Sequence, residues 1–220
     1  LLGVTTVSGE VQARARLADA VCRALGRNDV PIHAGSPRSL LSPRTSTVQQ
    51  KEVLERYPHR ADFAPATAVE FLRQTIRAYP GRITLLSVGP LTNIALLFAV
   101  DPEIPALLRD YILMGGVYVS RPEHYGPREW NALVDPHATA MVFAARPRRF
   151  RCVGLDVTTR CRMSRAECQK RLNRGPLRIV ADMAEVWFRD SPQVTFHDPL
   201  AAMCVLEEDL CRFEPGLVEV

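Results

Sequence analysis

With 220 residues, 47% of them hydrophobic and 24% charged, the chain can bury one sizeable core and is not composed like a disordered protein. No apolar run approaches the roughly 20 residues of a membrane span, and no basic-then-apolar leader opens the sequence. The net charge of +4 is almost all arginine, scattered among acids with no aromatic-interleaved basic stripe, which argues against nucleic-acid binding.

The six cysteines form no C-x-x-C pair, so a zinc ribbon or thioredoxin-type motif is disfavoured. Several sit at apolar positions of helix or strand patterns, and a reduced, intracellular setting is expected.

In chain order, an apolar strand at 1–7 is followed by a helix at 10–25, with Val11, Ala15, Ala18, Val21, Cys22 and Leu25 at helical spacing. A second strand covers 30–34. Residues 35–62 are rich in Pro, Ser and Arg, with at most one broken helix near 48–56; so long an irregular stretch points to function or mobility. A helix at 66–79 stops at Pro80-Gly81, and 83–88 is a buried strand. A helix at 91–100, a strand at 111–114 and a loop to 134 come next. Asp135-Pro136 caps a helix at 135–145, and 150–155 is a strand. Helices at 164–172, 176–189 and 198–207 complete the pattern, which shows no internal boundary, so 1–220 is expected to be a single domain.

Continuous rather than alternating apolar strands, separated by helices, predict an α/β fold: an open, mostly parallel sheet with helices on both faces. Ligands of such sheets bind beyond the carboxyl ends of the strands. Those ends carry Ser8-Gly9-Glu10, Val88-Gly89-Pro90, Met114-Gly115-Gly116 and Leu155-Asp156.

Three motifs there can carry chemistry. Val88-Gly89-Pro90-Leu91-Thr92-Asn93 reads first as a strand-to-helix turn with Thr92 or Asn93 capping, although a carbonyl there can serve a hard cation. Gly115-Gly116 permits close approach of a ligand. Glu129 and Asn131, two apart in an extended loop, would project the same way as a carboxylate–amide pair suited to hydroxyl groups. A solvated glutamate and a turn asparagine are the plainer reading. In His197-Asp198-Pro199, Asp198 reads as a helix N-cap or a metal ligand, and His197 as a proton donor facing substrate. Neither a dinucleotide nor a P-loop fingerprint is present.

Together, in this order, these pieces resemble the inosine-uridine preferring nucleoside hydrolase family. The resemblance rests on Gly3-Val4-Thr5-Thr6-Val7-Ser8-Gly9, Val88-Gly89-Pro90-Leu91-Thr92-Asn93-Ile94-Ala95, Met114-Gly115-Gly116, Glu129-Trp130-Asn131 with Asp135-Pro136, Leu155-Asp156-Val157-Thr158 and His197-Asp198-Pro199. It implies cleavage of the N-glycosidic bond of ribonucleosides, with a calcium ion that holds ribose hydroxyls and the attacking water. Carried over, it makes Asp198 a calcium ligand and Val88 a carbonyl ligand. Met114, Glu129 and Asn131 become ribose contacts, and His197 the catalytic group that assists departure of the base. It further implies a cytoplasmic homo-oligomer, a dimer or tetramer, with a small nucleoside as its partner and neither nucleic acid nor membrane.

The sequence also departs from the family. The aspartate-rich loop D-x-D-x-G-x-D-D that supplies most calcium carboxylates would precede Leu1, so the chain is expected to be cut short at the N-terminus, and the C-terminus is a second candidate for truncation. Glu10 replaces the usual asparagine and would place a negative charge among the substrate-binding groups. The stretch 42–53 lacks a histidine, and the glycine-asparagine usual near Glu123 is missing. Three readings follow: a hydrolase of nucleosides or of another N-ribosyl compound, a degenerate non-catalytic homologue, and an unrelated α/β small-molecule binder.

Overall fold

The computed structural model describes residues 1–119 and 128–220, so Glu123 lies outside the described residues. The chain divides into two compact units. The first comprises Leu1–Pro37, Ser46–Ala68 and Arg162–Thr195, and the second Arg38–Thr45, Val69–Cys161 and Phe196–Val220.

In the first unit, β1 (Val4–Thr6) pairs in parallel with β2 (Ile32–Ala34), linked by helix α1 (Val11–Ala24). Val11, Ala15 and Phe63 pack with Ile32 and Ala34, so the apolar stripe of α1 covers this pair. Gln12 clamps the returning chain, donating to the Phe63 carbonyl at 2.8 Å and accepting from its amide at 3.2 Å. The broken helix expected near 48–56 is a 3-10 helix, Gln49–Arg56, whose Val53 and Leu54 join Leu17, Ile179 and Val186 in a second cluster. Helices α8 (Arg165–Leu172) and α9 (Arg178–Trp187) follow β6 (Arg162–Ser164). A strand pair that the apolar pattern does not reveal closes the unit: β6 runs antiparallel to β7 (Gln193–Thr195), with Met163 opposite Val194. The mostly parallel α/β expectation holds, with this antiparallel exception.

The second unit is built on three parallel strands in order β3 (Thr84–Ser87), β4 (Asp110–Met114) and β5 (Phe150–Val153). All five residues of β4 are buried. Alternate side chains of a strand point to opposite faces. Tyr111 and Leu113 accordingly join the cluster of Ile94, Leu97, Ala138 and Val142, while Ile112 and Met114 join that of Leu155, Ala201 and Cys204. The first face is covered by α2 (Ala68–Ala78), α3 (Thr92–Val100), α4 (Ile104–Leu107) and α6 (Pro136–Ala144). The other is covered by α7 (Leu155–Thr158) and α10 (His197–Leu206). Tyr111 stacks on Phe150 with centroids 4.7 Å apart, and its hydroxyl donates to Ser87 Oγ at 3.1 Å. At the amino end of β4 the buried Asp110 carboxylate is ringed by Arg149 at 3.2 Å, Arg151 at 3.5 Å and Arg109 at 3.9 Å. These charges offset the cost of burying an acid.

Candidate active site

At the carboxyl end of β4, the chain turns at Gly115-Gly116, and Gly116 takes φ +81°. A Cβ on Gly116 would come within 2.5 Å of the Tyr118 hydroxyl. The space beside Gly116 is thus taken by the chain's own Tyr118, and that beside Gly115 by Glu129 Oε2 and Leu113. Gly154 is needed for the same reason, because a Cβ there would meet Asp156 and the Tyr118 ring. Tyr118 was not singled out from the sequence, and only its spacing from the glycine pair hints at it.

Glu129 and Asn131 are not in an extended loop. Glu129 is the N-cap of α5 (Trp130–Val134), and Asn131 lies in the first turn of that helix. Glu129 Oε1 accepts from the Asn131 amide at 2.8 Å, and Oε2 from the Ala132 amide at 3.0 Å and the Gly116 amide at 3.3 Å. Glu129 is only 5% exposed, and burial raises its pKa despite these amides, which pull the other way. Asn131 Nδ2 donates to the Met114 carbonyl at 3.2 Å and lies 3.8 Å from its Sδ. One capped turn thus joins three candidate residues, Met114, Glu129 and Asn131.

Asp135 caps α6 as the sequence predicts, accepting from Ala138 N at 3.0 Å. It also accepts from Leu40 N at 2.9 Å and from Thr92 Oγ1 at 2.6 Å. Thr92 is thereby drawn away from capping: the N-cap of α3 is Leu91, with no side-chain cap bond. Val88, one residue past β3, is 38% exposed.

His197 and Asp198 open α10, which packs against β3 and β4. The N-cap is Phe196, so Asp198 is not the cap the sequence suggests but a residue of the first turn. Its carboxylate bonds to no donor among the described residues. Its pKa is raised to about 6, chiefly by desolvation and secondarily by the Glu129 charge. The residue nonetheless presents surface to solvent. His197 Nδ1 lies 2.7 Å from Thr158 Oγ1, and Thr158 is fully buried on α7. That short helix replaces the strand end expected at Leu155, and the sequence separation of 39 from Thr158 to His197 hid this partnership from the sequence.

Glu10 belongs to the first unit. Its Oε2 accepts from Val48 N at 2.9 Å and its Oε1 pairs with Lys51, and these two bonds hold its pKa below the ordinary value. Ser8 and Gly9, both at positive φ, turn the chain into this contact.

Calcium takes six to eight oxygens. Among the described residues no three His, Cys, Asp or Glu side chains gather to hold a metal, and Glu129 already serves three amides. Asp198 and one carbonyl do not by themselves fit calcium. A cavity of about 100 Å³ beside Glu129 and Asn131, walled by Leu91, Leu113 and Phe143, is smaller than the 300–1,000 Å³ usual for ligand pockets.

The family model for inosine-uridine preferring nucleoside hydrolase matches residues 1–220. Uridine nucleosidase 1 of Arabidopsis thaliana is 30% identical over 100% of this chain and 70% of its own length. The pyrimidine-specific ribonucleoside hydrolase RihA of Shewanella woodyi is 32% identical over 100% of this chain and 75% of its own length. In fold, the chain resembles the purine-preferring ribonucleoside hydrolase of Gardnerella vaginalis, with a TM-score of 0.79 and 22% identity over 95% of this chain and 72% of that one. The chain belongs to the inosine-uridine preferring nucleoside hydrolase family and so, by resemblance, to the N-glycosyl hydrolases.

Proposed function

We propose that this protein hydrolyses the N-glycosidic bond of ribonucleosides, giving ribose and free base. The observation that carries the reading is the capped turn joining Met114, Glu129 and Asn131. A carboxylate that only accepts, beside an amide that both donates and accepts, suits a pair of ribose hydroxyls. The bond from C1′ to the base nitrogen breaks with its electron pair leaving on the base, so a proton delivered there eases departure. His197, with its ring oriented by Thr158, is the residue proposed to deliver it. Water adds to C1′ of the electron-poor sugar and gives up a proton to solvent, from which His197 regains the one it delivered to the base. Carboxylates at Glu129 and Asp198, in their ionised form, attract the positive charge that this sugar develops.

Calcium dependence, with Asp198 and the Val88 carbonyl as two of the ligands, belongs to the proposal for the full-length protein, and the steps above use only side chains of this chain. Treating residues 1–220 as one domain is likewise proposed, supported by a single family model that runs through both units. So are a cytoplasmic location and a homo-oligomeric state. No helix among the described residues is long and apolar enough to cross a membrane.

A second reading, a non-catalytic homologue, is favoured by one observation: Asp198 has no partner carboxylates arranged for a metal among the described residues. Free ribose released from a nucleoside panel by the full-length protein, with calcium and with chelator, separates the two. Ribose with calcium and little with chelator is expected. No ribose from any nucleoside under either condition would establish the non-catalytic reading.

A further inference from the structure

Leu155-Asp156-Val157-Thr158, one of the pieces on which the family resemblance rests, forms the short helix α7 directly after β5. Two positions apart on a helix, side chains do not share a face. Asp156 and Thr158 accordingly serve different partners. On one side, residues 115–118 are stitched to 153–156 at three points. Gly115 N donates to the Val153 carbonyl at 3.2 Å, Leu155 N to the Gly116 carbonyl at 2.9 Å, and Tyr118 N to Asp156 Oδ1 at 3.3 Å. Gly154 makes room for this, because a Cβ there would lie 2.4 Å from Asp156 Oδ1, 2.8 Å from the Tyr118 ring and 3.0 Å from the Gly116 carbonyl oxygen. The same Gly116 gives its amide to Glu129 Oε2. On the other side, Thr158 Oγ1 lies 2.7 Å from His197 Nδ1. The backbone reinforces that contact, with Cys161 N donating to the Thr158 carbonyl at 3.0 Å and Phe196 N to the Cys161 carbonyl at 2.7 Å. A hydroxyl both donates and accepts, so Thr158 can hold the imidazole before and after it gives up a proton.

Building on the roles proposed above for Glu129 and His197, we propose that Asp156 and Thr158 are positioning residues on the two sides of one brace. Asp156 sets Glu129 through Tyr118 and Gly116, and Thr158 sets the His197 ring. Without the Asp156 bond, the turn that presents the Gly116 amide is released. Glu129 then grips the ribose hydroxyls less well in the ground state and the transition state alike, which raises KM more than it lowers kcat. Without the Thr158 hydroxyl, the imidazole has more than one ring orientation, which lowers kcat most for a base that leaves poorly.

The test is steady-state ribose release from inosine and uridine by the full-length protein, with unfolding curves and amide hydrogen exchange on the same samples. Asp156→Ala should raise KM about tenfold for both nucleosides with a smaller change in kcat, and Asp156→Asn, which keeps an acceptor oxygen, should restore it. Gly154→Ala, whose Cβ displaces the Asp156 carboxylate, should reproduce the rise in KM. Thr158→Val should lower kcat about tenfold, unequally for the two bases, and Thr158→Ser should recover it. Exchange reads the brace without turnover. In Asp156→Ala the Gly116 and Ala132 amides, both bonded to Glu129, should lose protection relative to Asp156→Asn. The proposal is overturned if those amides keep their wild-type protection. It is equally overturned if KM, kcat and Tm change in parallel in every variant for both nucleosides. A wild type that releases no ribose overturns the hydrolase reading, and the exchange result then decides the brace by itself.

Discussion

Glu10 in the first unit and Glu129 in the second both lie just past the carboxyl end of a parallel strand or its turn, yet their surroundings push them in opposite directions. Glu10 has a cation, Lys51, and one amide, and its carboxylate is favoured. Glu129 has three amides and, among the described residues, no cation within ion-pair distance, and burial outweighs the amides. The first arrangement pins residues 46–51 against the start of α1. The second holds an acid in a poorly solvated place, where a hydroxyl donor or a cation is welcome. The sequence departure at Glu10 is thus matched by a local cation, whereas the family-like Glu129 is held by amides alone among the described residues.

The largest effect expected in the second unit is on chemistry. His197→Ala should lower turnover of full-length protein by about 10²–10⁴-fold, and more for bases that leave poorly. Equal losses across all bases would show that the imidazole does not assist the leaving group. Glu129→Ala removes an N-cap and strands three amides, at a cost of about 2 kcal/mol in denaturant unfolding. Glu129→Gln keeps one acceptor oxygen and should lose less, and an equal loss would mean that the cap bonds contribute little. The same pair of proteins sharpens the contrast through pH. A raised carboxyl favours the fold below its ordinary pKa of 4.5, and that contribution is lost as pH rises through the folded value. Relative to Glu129→Gln, the wild type should therefore lose stability from acid toward neutral pH. Glu10 has the opposite sign: its contribution is present above 4.5 and lost as pH falls through the lowered folded value. Glu10→Gln should give the smallest change, a slight drop in Tm at neutral pH that disappears in acid. A Tm difference growing toward acid would break the comparison.

The central strand was legible because residues 111–114 are a continuous apolar run that is buried on both faces, and its neighbour because Ile83, Leu85, Leu86 and Val88 mark an apolar segment even though Thr84 and Ser87 interrupt it. Asp135 before Pro136 was legible because capping is local. The antiparallel β6–β7 pair was not, since Arg162, Ser164 and Gln193 give it no apolar signature and its partners are far apart in sequence. The candidate site residues were found by their motif order, but their roles in the fold were not. Glu129 is a cap rather than a loop carboxylate, Asp198 is not a cap, and His197 answers to a threonine 39 residues away. Such side-chain partnerships depend on where helices dock, which spacing along the chain does not encode.

The central claim is that Asp198 belongs to the catalytic centre of a nucleoside hydrolase. It is tested most directly by calcium titration and ribose release on full-length wild type and Asp198→Ala, side by side, with unfolding curves to check that both are folded. The account predicts that the variant folds but loses calcium binding and releases almost no ribose. A folded Asp198→Ala that binds calcium as tightly and releases ribose as fast as the wild type would contradict it.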